Sequence, residues 1–108
     1  MTPSADVIET TDALIVEMDL PGYELEDIDV QLEGERLMIR AERKLTPAPD
    51  RTYHQSERTH GVRSRTFLLP AIVDVDQTRA TYRNGVLYLE LPKRQEVKPR
   101  SIPINTGD

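Results

Sequence analysis

Apolar and polar residues alternate with a period of two along most of the chain, and eight prolines and five glycines cut the alternation into short runs. A period of two belongs to half-buried β-strands, and punctuation at this density spaces them as in a sandwich. The clearest unit is Ala80–Leu91. Asn84-Gly85 parts two alternating runs there, and Asn and Gly best tolerate the positive φ that both central positions of a two-residue hairpin turn require. That turn sets Ala80 opposite Leu89, Tyr82 opposite Leu87 and Thr78 opposite Leu91 on one face. Arg79 falls opposite Glu90 on the other face, an attractive cross-strand pair.

A second hairpin is predicted over Ile28–Leu32 and Leu37–Ala41 around Gly34-Glu35. Leu32 meets Leu37, Val30 meets Ile39 and Ile28 meets Ala41 inside, while Glu33 meets Arg36 and Asp29 meets Arg40 outside. Asp6–Glu9 reads as a short edge strand. Ala13–Leu20 carries Leu14, Val16, Met18 and Leu20 on one face and stops at Pro21-Gly22. Tyr23–Asp27 has room for one helical turn. Arg63–Leu69 is a strand with Arg63, Arg65, Phe67 and Leu69 on one face, and Ile72–Gln77 is a connector. Leu20-Pro21 and Leu69-Pro70 each precede a connector and a hairpin, a coincidence expected where many strands end at proline.

Between Leu45 and Gly61 the chain is polar, holds Pro47 and Pro49, and has one strand-like run at Arg51–Gln55. A connector of that length in a compact domain is usually functional or mobile. After Pro92 the residues are charged and without period, as in a solvated extended tail. Then come Ile102-Pro103-Ile104. Proline presets an extended backbone, so both isoleucines project to one side, as either a fraying terminus or a plug for a groove on another subunit. The boundaries are an extension over 1–5, a sandwich over 6–92 and a tail over 93–108.

Composition adds limits. The chain of 108 residues supports one core. With five aromatic side chains and no tryptophan, that core is built from Leu, Ile, Val and Met. Cysteine is absent, which excludes thiol chemistry and fits a reducing compartment. No signal-peptide pattern or membrane-length apolar run is present, so a soluble cytoplasmic protein is expected. Residues 1–35 hold all their charge as Asp and Glu, whereas 36–108 are predominantly basic. The expectation is mutual neutralisation within one fold. The arginines are scattered singly and few aromatics exist to stack on bases, which argues against nucleic acid.

The combination resembles the small heat-shock protein family, that of the α-crystallin domain. The motif Ala-x-x-x-Asn-Gly-Val-Leu is matched by Ala80, Asn84, Gly85, Val86 and Leu87. Leu-Pro-Gly is matched by Leu20, Pro21 and Gly22. Gly-x-x-x-Arg-x-Phe-x-Leu-Pro is matched by Gly61, Arg65, Phe67, Leu69 and Pro70, and the tail motif by Ile102 and Ile104. Arg63 stands where the family usually has an aromatic, and the first strand follows Met1 almost at once where the family usually has a long apolar segment, as in either a truncated chain or an unusually short member.

The resemblance implies an immunoglobulin-like antiparallel β-sandwich of seven to nine strands, acting as an ATP-independent holdase that keeps partly unfolded proteins from aggregating. It implies a homodimer in which Arg51, Thr52, Tyr53, His54 and Gln55 form a strand exchanged with the neighbour, with Arg65 at the dimer seam. It implies higher homo-oligomers when Ile102, Pro103 and Ile104 dock in a groove, which inner-face parity places at Ile28, Val30 and Leu32 on one side and Thr78 and Ala80 on the other. Non-native proteins would share that groove, with no cofactor and no membrane partner. The alternative is a monomeric co-chaperone, a sandwich docking on an ATP-driven chaperone.

Other chemistry finds little support. His54, Glu57 and His60 would gather around a metal on a helix but diverge on a strand. Ser56 beside His54 lacks a nucleophile-elbow context. Asp74 and Asp76 lie in a connector, where solvation is the simpler role for a carboxylate pair. No phosphate-binding glycine loop exists. The chain is read as a non-enzyme.

Overall fold

The computed structural model describes residues 2–44, 48–58, 61–94 and 101–107. Among these are seven strands: β1 (Ala5–Glu9), β2 (Ala13–Asp19), β3 (Ile28–Glu33), β4 (Arg36–Arg43), β5 (Gly61–Leu68), β6 (Arg79–Arg83) and β7 (Val86–Pro92). They form two antiparallel sheets, ordered β1-β2-β7-β6 and β3-β4-β5. The period-two pattern decides which faces meet. Leu14, Val16, Met18 and Leu20 pack with Leu37, Ile39, Ala41, Leu87, Leu89 and Leu91 into one buried cluster. No helix among the described residues is long and apolar enough to cross a membrane.

Both hairpins take the expected register: Ala80 opposes Leu89 and Tyr82 opposes Leu87, while Ile28, Val30 and Leu32 oppose Ala41, Ile39 and Leu37. Asn84 and Gly85 sit at φ 53° and 76°, the left-handed values that the turn demands. One pairing differs. Thr78 does not oppose Leu91, because β6 begins at Arg79. Its N–H instead bonds the Val75 carbonyl at 3.2 Å and its hydroxyl donates to the Asp74 carbonyl at 2.9 Å, closing a 3-10 turn over Val75–Gln77. Charge neutralisation joins the halves at Lys93, whose Nζ lies 2.7 Å from Glu9 and 2.8 Å from the Thr10 carbonyl.

The two Leu-Pro steps are more than coincidence. Leu20 N–H bonds the carbonyl of Gly85 in the β6–β7 turn at 2.8 Å, and Leu69 N–H bonds the carbonyl of Glu35 in the β3–β4 turn at 2.7 Å. Each step then leads through a 3-10 turn, Leu25–Asp27 or Val75–Gln77, into the edge strand of a hairpin. Tyr23 and Val73, each directly before the cap of its turn, are both buried. The chain is thus two similar units about fifty residues apart, each docking its Leu-Pro on the other's hairpin turn.

Candidate functional site: a groove between two open edges

The repeated units leave β3 and β6 as outer strands of opposite sheets. Both lie on the same side of the sandwich. The Tyr82 hydroxyl, at the end of β6, sits 2.6 Å from the Leu20 carbonyl and 2.9 Å from that of Tyr23, in the crossover leading to Ile28. The opposite side is marked by Arg65 on β5, whose guanidinium donates to the Pro3 carbonyl, next to β1, at 3.3 Å. The end of β6 therefore lies beside the crossover that leads into β3.

Ile28, Val30 and Leu32 are half-buried, packed on the core from one side, while Asp29, Gln31 and Glu33 between them are exposed. On the other rim Thr78 is half-buried and Ala80 exposed. Edge strands also offer unpaired N–H and C=O groups, the template for adding a strand.

The two segments expected to move between subunits are both at the surface. In 48–58 no strand forms, and residues 51–55 are exposed. Arg51 lies 5.7 Å from the Tyr53 ring centroid. Residues 101–107 are exposed throughout, with Ile102 at 83% and Ile104 at 94%, the highest values for large apolar side chains among the described residues.

Against the Hsp20/alpha crystallin family model, residues 6–105 match. The chain belongs to this family. Spore protein SP21 of Stigmatella aurantiaca is 42% identical over 103 residues, covering 94% of this chain and 61% of that protein. The 18 kDa antigen 1 of Mycobacterium avium is 38% identical over 98% of this chain and 76% of the antigen. Heat shock protein 16.0 from Schizosaccharomyces pombe superposes with a TM-score of 0.76 at 33% identity, covering 97% of this chain and 99% of that one. The chain spans less than two thirds of the length of the spore protein.

In this Hsp20-family chain Arg65 also stacks on Phe67, 4.7 Å from Cζ to the ring centroid. The single protomer thereby supplies partners for the arginine assigned to the seam. Arg63, in place of an aromatic, lines a cavity of about 190 Å³ with Thr2, Pro3, Tyr23 and other neighbours. His60 lies outside the described residues, and those described hold no group of three metal-ligating side chains. Asp74 caps its 3-10 turn, accepting the Asp76 N–H at 3.1 Å. Two features escaped the sequence reading: the burial of Tyr23 and Val73, and the Tyr82 hydroxyl that ties β6 to the crossover. The matched spacing from the two Leu-Pro steps was the available signal.

Proposed function

We propose that the chain is an ATP-independent holdase that captures partly unfolded proteins, as the family of small heat-shock proteins, which are chaperones and not enzymes, leads one to expect. One observation carries the reading. The half-buried Ile28, Val30 and Leu32 lie on β3, an outer strand of one sheet as β6 is of the other, while Ile102 and Ile104 stand exposed. Groove and plug match in spacing, since alternate residues of an extended peptide point to one side.

Burying two isoleucines contributes roughly 3–6 kcal/mol before ordering costs. Each tail contact is therefore weak and exchangeable, and a vacated groove is open to an apolar client segment. Exchange of the 51–55 strand covers a further edge and makes the dimer. The test is direct: a heat-labile enzyme warmed with this protein and no nucleotide stays soluble. Aggregation at the rate of the enzyme alone would refute the proposal.

A further inference from the structure

The N-terminal segment crosses from one sheet to the other. The Ser4 carbonyl accepts the Asp19 N–H, at the end of β2, at 2.9 Å, and the Pro3 carbonyl accepts from the Arg65 guanidinium of β5 at 3.3 Å. Residues 2–4 therefore bridge the sheets. Together with Leu20, Pro21, Tyr23 and Arg63 they line the cavity of about 190 Å³. Thr2 and Ser4 are exposed, so the cavity opens to solvent beside them.

One group in this wall is unmet. Tyr23 is 8% exposed, and its hydroxyl has no hydrogen-bond partner among the described residues. The neighbouring carbonyls are already engaged: Pro3 by Arg65, Ser4 by the Asp19 N–H, and Leu20 and Tyr23 itself by the Tyr82 hydroxyl. A buried donor without an acceptor is costly, so a molecule that brings an acceptor to it gains by binding. Pro3, Leu20, Pro21 and the Tyr23 ring make the rest of the wall largely apolar. Asp19 and Arg63, of opposite charge, both line it, so it selects neither an anion nor a cation. An apolar cavity of about 150 Å³ already holds a benzene ring, and this one is larger.

We propose that this cavity is a binding site for a small neutral aromatic molecule, a single ring of phenol size. Its oxygen accepts from the Tyr23 hydroxyl, and its ring lies against Pro3, Leu20 and Pro21. The site shares no residue with the Ile28, Val30 and Leu32 edge or with the tail, so it is separate from the surface proposed for clients.

The test uses the full chain and two probes of matched size, phenol and toluene. Saturation-transfer NMR, read on the probe and therefore usable on assemblies, finds phenol bound about tenfold more tightly, the difference made by an oxygen that meets a buried donor. Tyr23→Phe keeps the ring, removes the preference for phenol and leaves toluene binding unchanged. Tyr53→Phe, at an exposed position of the 48–58 segment, alters neither affinity. Hydrogen-exchange mass spectrometry of the unmutated chain locates the site independently: phenol slows exchange in the Asp19–Tyr23 segment and leaves Ile28–Glu33 as it was. Absence of phenol binding, equal affinity for the two probes, a preference that survives Tyr23→Phe, or protection at Ile28–Glu33 in place of Asp19–Tyr23 would each overturn the proposal.

Discussion

The carbonyl of Gly85 accepts the N–H of Leu20 across 2.8 Å, although the two residues lie at opposite ends of the chain. Through this bond the Asn84-Gly85 turn sits on the Leu20-Pro21 step, and a Cβ on Gly85 would come 3.2 Å from Pro21 Cα. Glycine is needed there twice, once for φ +76° and once for the approach of Pro21. Gly85→Ala is expected to lose about 2–3 kcal/mol in urea unfolding. Gly34→Ala, at φ +60° with nothing within 4 Å of the new Cβ, carries the conformational term alone and loses about 1 kcal/mol. Equal losses at the two sites would show that the turn does not bear on Pro21.

The two tyrosines of the crossover give opposite expectations. Tyr82→Phe removes the hydroxyl shared by the Leu20 and Tyr23 carbonyls and costs about 1–3 kcal/mol, because both acceptors lose their partner. Tyr23→Phe removes a buried hydroxyl that has no hydrogen-bond partner among the described residues, so stability is unchanged or rises. Thermal unfolding of the pair decides; a loss in Tyr23→Phe as large as that in Tyr82→Phe would contradict the assignment.

Arg65 combines a stacked guanidinium with a bond to the Pro3 carbonyl. Lysine keeps the charge but loses the planar group. Arg65→Lys is therefore expected to loosen the N-terminal segment, read as faster amide exchange at Ala5–Val7 with β4 unaffected. Uniform acceleration across both sheets would place the arginine's role in global stability instead.

Assembly is expected to have two separable steps. Ile102→Gly/Ile104→Gly reduces particles to dimers, measured by light scattering behind size-exclusion chromatography, and leaves unfolding unchanged because both side chains are exposed. Deleting residues 46–56 yields monomers with the sandwich intact. A dimer that survives the deletion would move the seam away from this loop.

Much of the scaffold was legible because its causes are local. Alternation assigns inside and outside at Leu14–Leu20, and Asn84-Gly85 and Gly34-Glu35 set hairpin register through their own dihedral preferences. Thr78 shows where local reasoning stopped. Its pairing with Leu91 was lost to a 3-10 turn whose bonds to Asp74 and Val75 compete with the ladder. Parity along β3 placed Ile28, Val30 and Leu32 on the core-facing side, where all three are half-buried.

By itself, then, the order of residues determined where seven strands run, which face of each is apolar and where the hairpins turn, though not that 51–55 stays irregular. Only tertiary structure decided that β2 lies against β7 and β5 against β4, and that Tyr23 and Val73 are interior. The physical reason is range. Period and turn chemistry act over a few residues, whereas the Leu20–Gly85 and Leu69–Glu35 bonds join segments far apart in the chain.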